Sequence, residues 1–175
     1  FDKLFAIGIG WGPYVFTMPY TPLHGEVLRE FIQEHVRHTI FFNAKFDMHF
    51  LERFCGIKWF DLYRRKGLKI EDVMGHVRIV LQDEDETARL KYLAKKYIHP
   101  RANFYEKELK TELRKLEAVV RKVYKNDPNY PKPTYFDVNR DLLRMYLASD
   151  VILTDLLRKK CLPAVEARDG WKILK

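Results

Sequence analysis

Two aspartates lie in segments whose other residues are built for a core. Asp47 is in FFNAKFDMHFL, residues 41–51, and Asp150 is in DLLRMYLASDVILTDLL, residues 141–157. A buried carboxylate is costly unless it shares a proton, binds a cation or meets a basic side chain. Asp47 would also favour the positive end of its own helix, and Asp150 could pair with an arginine. The two residues are therefore candidates for cation binding, with simple ion pairing as the alternative.

A tyrosine precedes the second aspartate by one helical turn. Leu143, Tyr146, Asp150, Leu153 and Leu157 fall on a single stripe of a predicted helix that is apolar on nearly every face. The hydroxyl of Tyr146 is therefore expected to reach the same space as the carboxylate. Asp155 falls off this stripe and is expected to be solvated.

Hydrophobic periodicity predicts strands first and helices after them, which indicates an α/β or α+β domain with a small sheet. We expect one domain over residues 1–175. The predicted strands cover residues 3–12, 14–20 and 38–43. One predicted helix begins at Thr21, and five more cover residues 44–54, 70–81, 88–97, 105–125 and 139–160. Asn43 and Thr87 are candidate helix caps, and Pro163 is expected to break or bend the last helix.

Composition narrows the class of protein and the nature of its partner. No apolar run approaches the roughly 20 residues that span a bilayer, and Cys55 and Cys161 lie far apart. These features favour a cytoplasmic, reducing location without a membrane partner. The net charge is +8, and residues 89–126 hold 12 Lys/Arg against 4 Asp/Glu, which accounts for the whole surplus. Such clustering suggests a polyanionic partner, although a solvated helix face is the simpler interpretation.

Two motifs and the segment between them resemble a known family. NAKFD ends a predicted strand, YLASD follows about a hundred residues later, and IEDVMGHVRIVLQDEDETARLKYLAKKYI lies between them. This order resembles the DnaQ-like 3′–5′ exonucleases, and more closely the proofreading domain of family A (polymerase I type, phage-like) DNA polymerases. The likeness runs from Lys3 to about Leu157 and continues to the chain end.

The resemblance implies a ribonuclease H-like fold, a small mixed sheet flanked by helices, and two Mg²⁺ or Mn²⁺ ions at the scissile phosphate. Its substrate would be the 3′ end of single-stranded DNA. Carried over by motif position, Asp150 and Asp47 would be the metal ligands, Tyr146 would orient the attacking water, and Asn43 would lie near the 3′-terminal nucleotide. The basic segment would add the DNA-binding residues Lys95, Lys96 and Arg101.

The first motif of that family, Asp-x-Glu, does not occur in these 175 residues, because Asp2 is followed at the required spacing by Leu4. We expect the sequence to be part of a longer chain, with the first strand upstream and a polymerase domain in the same parent chain. Two alternatives follow from this departure and from the superfamily. One is an inactive exonuclease-like domain that binds DNA or supports a polymerase, and the other is a 3′–5′ exoribonuclease.

Overall fold

The computed structural model describes residues 4–81, 89–124, 127 and 129–167. Within these ranges the chain is a mixed α/β structure of small sheets and helices, as its periodicity predicts. The predicted cap Thr87, the acidic loop around it and Asp2 lie outside the described residues. The elements, in chain order, are β1 (Ala6–Trp11), β2 (Tyr14–Pro19), α1 (Pro22–His35), β3 (His38–Phe41), α2 (Ala44–Cys55), α3 (Trp59–Lys66), β4 (Lys69–Asp72), α4 (Val73–Leu81), α5 (Leu90–Tyr97), α6 (Phe104–Val123) and α7 (Arg140–Ala167).

The strands form two separate two-stranded sheets instead of the single mixed sheet that we expected. β1 and β2 pair antiparallel through a tight hairpin, with Ala6 opposite Pro19 and Trp11 opposite Tyr14. β3 and β4 pair parallel, with His38 opposite Lys69, and α2 and α3 form the connection between them. Among the described residues, β1 and β3 each have one edge without a strand partner.

Alternation along β1 places this strand between two helical layers. Ile7 and Ile9 point into a core cluster that α1, α2 and α3 complete, and this cluster also contains Phe41 and Ile70 from the second sheet. Gly8 and Gly10 face the opposite way, towards α7. A Cβ at Gly10 would lie 2.8 Å from a methyl group of Val151, so the absence of a side chain is what lets α7 lie this close to the strand.

A second core cluster lies on the α7 side. Leu153 and Leu157 of α7 pack there with Val73 and Val77 of α4 and with residues of α5. The predicted central position of the last helix is therefore confirmed. The helix also continues to Ala167 through Pro163, so the predicted break at this proline is wrong.

The segment after α3 corrects a second prediction. Residues 70–81 were expected to be helical throughout, but Ile70, Glu71 and Asp72 belong to β4 and the helix begins only at Val73. The apolar run VMGHVRIVL dominates the 3.6-residue pattern and hides the short strand before it. The helix α3, which the periodicity did not indicate, is one further element that only the structure provides.

A buried ionic cluster joins β4 to its neighbours. The side chain of Glu71 is 3% exposed, and it accepts from Arg158 Nε of α7 at 2.6 Å. The second oxygen lies 2.8 Å from His38 Nε2 of β3, and His76 Nδ1 of α4 lies 3.5 Å from the first. Burial lowers the pKa of His76 and the charge of Glu71 opposes this shift. The cluster therefore holds α7 against the β3–β4 sheet, and Arg158 balances the buried negative charge of Glu71.

Candidate active site

The start of α2 is set by a side chain from β4. Asn43 adopts a left-handed conformation, with φ of 70°, between β3 and α2. The carboxylate of Asp72 accepts hydrogen bonds from the backbone N–H groups of Asn43 at 2.9 Å, Ala44 at 3.1 Å and Met74 at 3.0 Å. Asn43 occupies the position of the cap, but its side chain makes no capping hydrogen bond. The predicted capping function therefore belongs to Asp72, which serves the first turns of both α2 and α4.

Asp47 follows in the first turn of α2. Its pKa is raised from the ordinary 3.8 to about 7, first by burial and then by the negative charges of Asp72 and Asp150. The favourable effect of the helix dipole on Asp47 does not compensate these two unfavourable contributions. Asp47 is thus acted on by the charges of two carboxylates, from β4 and α7, that are far from it in the sequence.

Asp150 of α7 has a cationic partner. Lys91 Nζ of α5 contacts Asp150 Oδ1, and the same ammonium group donates to Ser149 Oγ at 3.2 Å. The Lys91 and Asp150 side chains are 10% and 28% exposed, so water screens this pair only in part. Burial raises the pKa of Asp150, and the charge of Lys91 opposes the shift. The expectation that Asp150 lies on an inward-facing stripe agrees with this partial burial.

Tyr146 lies one turn before Asp150, as the helical spacing predicts. Its ring centroid is 5.0 Å from Lys91 Nζ, and its hydroxyl lies near enough to the Asp150 carboxylate to interact with it. Burial and the negative charge of Asp150 raise the pKa of Tyr146 well above its usual range. The phenol therefore stays protonated at neutral pH, where it can donate a hydrogen bond to Asp150.

The arrangement has the donor chemistry for a divalent cation but only part of a ligand set. Both oxygens of Asp72 accept hydrogen bonds from backbone N–H groups, and Glu106, whose charge also acts on Asp150, is paired with Lys110, so Asp47 and Asp150 are the candidate ligands. In the described part of the chain, no group of three His, Cys, Asp or Glu side chains is placed to hold a metal ion. Two carboxylates would supply part of the oxygen ligands of a Mg²⁺ or Mn²⁺ ion, and further oxygen ligands would have to be added.

The predicted DNA-binding residues of the basic segment lie at the surface. Lys95 and Lys96 are exposed in the last turn of α5, and Arg101 is exposed in the turn after it. Lys96 Nζ lies 5.0 Å from the ring centroid of Tyr97, which packs against the second core cluster. The structure thus presents these three cations to solvent, while Asn43, Asp47, Tyr146 and Asp150 belong to the neighbourhood of the carboxylates.

Sequence reasoning missed two members of this neighbourhood, Asp72 and Lys91. Asp72 fell in the first turn of the predicted helix 70–81, whereas an aspartate between a strand and an apolar helical run is a typical capping signal. Lys91 flanks the apolar stripe of α5 formed by Leu90, Leu93 and Ala94, and its long side chain reaches inwards from that position. A lysine beside an apolar stripe is the one signal that could have indicated the partner of Asp150.

Comparison with family models, curated proteins and solved structures returned no match for this chain. No helix within the described ranges has the length and apolar character needed to cross a membrane.

Proposed function

We propose that this protein is the 3′–5′ exonuclease (proofreading) domain of a family A type DNA polymerase, of ribonuclease H-like fold. The observation that supports the proposal is that the charge of Asp150 acts on Asp47 and that Tyr146 lies one helical turn before Asp150, beside its carboxylate. This is the set of residues that the resemblance assigns to metal binding and to orientation of the attacking water. The raised pKa of Asp47 adds a physical reason, because an added divalent cation would relieve the repulsion that raises it.

In this proposal Asp47 and Asp150 hold divalent cations through their oxygens, together with an Asp-x-Glu pair on a further strand of the parent chain. The unpaired edges of β1 and β3 are compatible with the addition of such a strand. The cations would supply charge stabilisation at the scissile phosphate and acidify the attacking water. Tyr146 keeps its proton, donates to Asp150 and accepts from the attacking water, which fixes the orientation of that water. Asn43, at the left-handed turn before α2, would contact the 3′-terminal nucleotide.

A second function, a non-catalytic domain that binds DNA or supports a polymerase, is favoured by the contact between Lys91 and Asp150. An ammonium group already balances the carboxylate, so Asp150 is stable without any bound cation. The two functions differ in whether Mg²⁺ displaces this ion pair and whether a DNA strand is then shortened.

The test is digestion of a 5′-labelled single-stranded DNA in Mg²⁺ by the full parent chain. Asp150→Asn should lower the rate by at least about 100-fold, because a ligand of the cation is lost. Asp155→Asn is the matched control: it removes a carboxylate from the same helix, but this carboxylate is exposed and paired with Lys159 at 2.6 Å. The control should digest DNA at the unchanged rate.

Equal rates for the Asp150→Asn variant and the unchanged protein would refute the proposed site. Binding of the strand without any shortening would support the non-catalytic function. Faster digestion of an RNA strand of the same sequence would favour an exoribonuclease.

A further inference from the structure

A surface cavity of about 420 Å³ opens between α2 and α3, and its lining is rich in aromatic residues. Lys45, Met48, His49 and Glu52 of α2 form one wall. The other wall and the floor come from Trp59, Phe60, Tyr63 and Ile70.

The cavity is separate from the neighbourhood of Asp47. The four lining residues of α2 recur at three- and four-residue spacing and share one face of the helix. At about 100° per residue, Asp47 points about 150° away from the middle of that face. A ligand in the cavity would therefore lie on the opposite side of α2 from the proposed active site.

The floor of the cavity is buried, and its outer aromatic rings are exposed. Trp59 is 4% exposed, and its indole N–H donates to the Met48 carbonyl at 3.0 Å. Phe60 and Tyr63, in contrast, are 68% and 60% exposed. They are three residues apart on α3 and so present two flat apolar faces on the same side of a short helix.

The charge around the cavity is positive. Lys45 lines it, and the guanidinium of Arg64 lies 5.4 Å from the ring centroid of Phe60. The acidic Glu52 in the lining is matched by Lys58 at 3.5 Å. Residues 44–69 hold seven Lys/Arg and three Asp/Glu, a surplus of four positive charges outside the basic segment 89–126.

We propose that this cavity is a second binding site for single-stranded nucleic acid, which stacks bases on Phe60 and Tyr63 and holds phosphates with Lys45 and Arg64. Exposed aromatic faces next to cations are the combination that binds a single strand without sequence preference. A purely apolar partner would leave the cationic rim unmatched, whereas a polyanion with aromatic bases matches both features. The site goes beyond the proposed exonuclease function, because its ligand binds without reaction and on the other side of α2.

The first experiment measures the affinity of the protein for a fluorescein-labelled oligothymidylate by anisotropy, in EDTA and at low salt. Replacing both outer rings, Phe60→Ala with Tyr63→Ala, should weaken binding roughly tenfold or more, and circular dichroism should show the fold retained. The matched control is Tyr14→Ala with Phe16→Ala, since these two aromatic residues of β2 are 64% and 52% exposed and lie away from the cavity lining. The control should bind with unchanged affinity.

The second experiment locates the strand directly. An oligonucleotide carrying 5-iodouracil, irradiated in the complex, should crosslink to the tryptic peptide of residues 59–64, which contains both rings. Equal affinities for the unchanged protein and the Phe60/Tyr63 variant, or crosslinks confined to other peptides, would overturn the proposal. If the Phe60/Tyr63 variant changed its oligomeric state but kept its affinity for the oligonucleotide, the proposal would be overturned as well. The exposed rings would then form a contact between two copies of this chain. Because EDTA removes divalent cations, none of these outcomes depends on the exonuclease activity.

Discussion

The raised pKa of Asp47 makes the stability of the protein depend on pH in a direction opposite to that of most carboxylates. In the folded chain this group binds its proton more tightly than in the unfolded chain, with a pKa of about 7 against 3.8. Its contribution to stability is therefore fully present below pH 3.8 and is lost as the pH rises through 7. The difference of about three pKa units corresponds to an upper limit of about 4 kcal/mol, and solvent relaxation around the half-buried group lowers it to about 2 kcal/mol.

Asp47→Asn removes this ionisation and keeps the shape of the side chain. At pH 4 the variant and the unchanged protein should have similar free energies of unfolding. At pH 8 the variant should be more stable by about 2 kcal/mol, because it has no buried charge at position 47 and no repulsion of that charge by Asp72 and Asp150. Urea unfolding at intervals of half a pH unit between 4 and 8.5, in EDTA, measures the difference.

Asp155→Asn provides the control, since this exposed carboxylate should give a difference that stays near zero across the range. A stability difference for Asp47→Asn that does not change with pH would show that Asp47 is an ordinary solvated carboxylate, and the argument for convergence would fail. Repeating the series with Mg²⁺ adds a test of cation binding: the metal should stabilise the unchanged protein at pH 8 and should do so less in the variant.

Two further predictions concern the packing of α7 and the basic segment. Gly10→Ala should lower the free energy of unfolding by about 2 kcal/mol, because the new Cβ would lie 2.8 Å from a methyl group of Val151. Adding Val151→Ala should restore part of this loss, and denaturant unfolding measures both changes. Failure of the second substitution to restore any stability would contradict the close approach. The second prediction neutralises the exposed cations of the basic segment, which are Lys95, Lys96 and Arg101. This change should weaken binding of single-stranded DNA and reduce the slope of log affinity against log salt concentration by about 2. An unchanged slope would show that the segment is a solvated face and does not bind DNA.

The sequence predicted those parts of the fold that depend on strong local patterns. The β1–β2 hairpin, the capped helix α1 and the long helices α6 and α7 follow from alternation, a Thr-Pro start and apolar stripes, and these elements are confirmed. The strand β4 and the helix α3 were missed, because each is short and lies next to a segment with a stronger pattern. Pro163 was expected to break or bend α7; the helix continues through it, with Cys161 and Val165 buried on either side.

The site was predictable to the extent that charged residues stood out against apolar helices. Asp47 and Asp150 were visible for this reason, and the helical turn from Tyr146 to Asp150 follows from the spacing. The positions of Asp72 and Lys91 depend on which strand and which helix lie beside α2 and α7, and spacing along one element contains no such information. The arginine that compensates Glu71 lies 87 residues further along the chain, so this pair too could only be found in three dimensions.

Asp72 determines where Asp47 points without being part of the converging pair. Its carboxylate holds the cap residue and the first residue of α2 by their backbone N–H groups, and so it fixes the rotation of that helix about its own axis. One residue of slippage would turn Asp47 by about 100°. In a random mutagenesis screen for loss of the proposed exonuclease activity, position 72 should therefore be recovered together with positions 47 and 150. Asn at position 72 should also lower the melting temperature, whereas Asn at position 47 should not, and this difference separates an alignment residue from a proposed ligand.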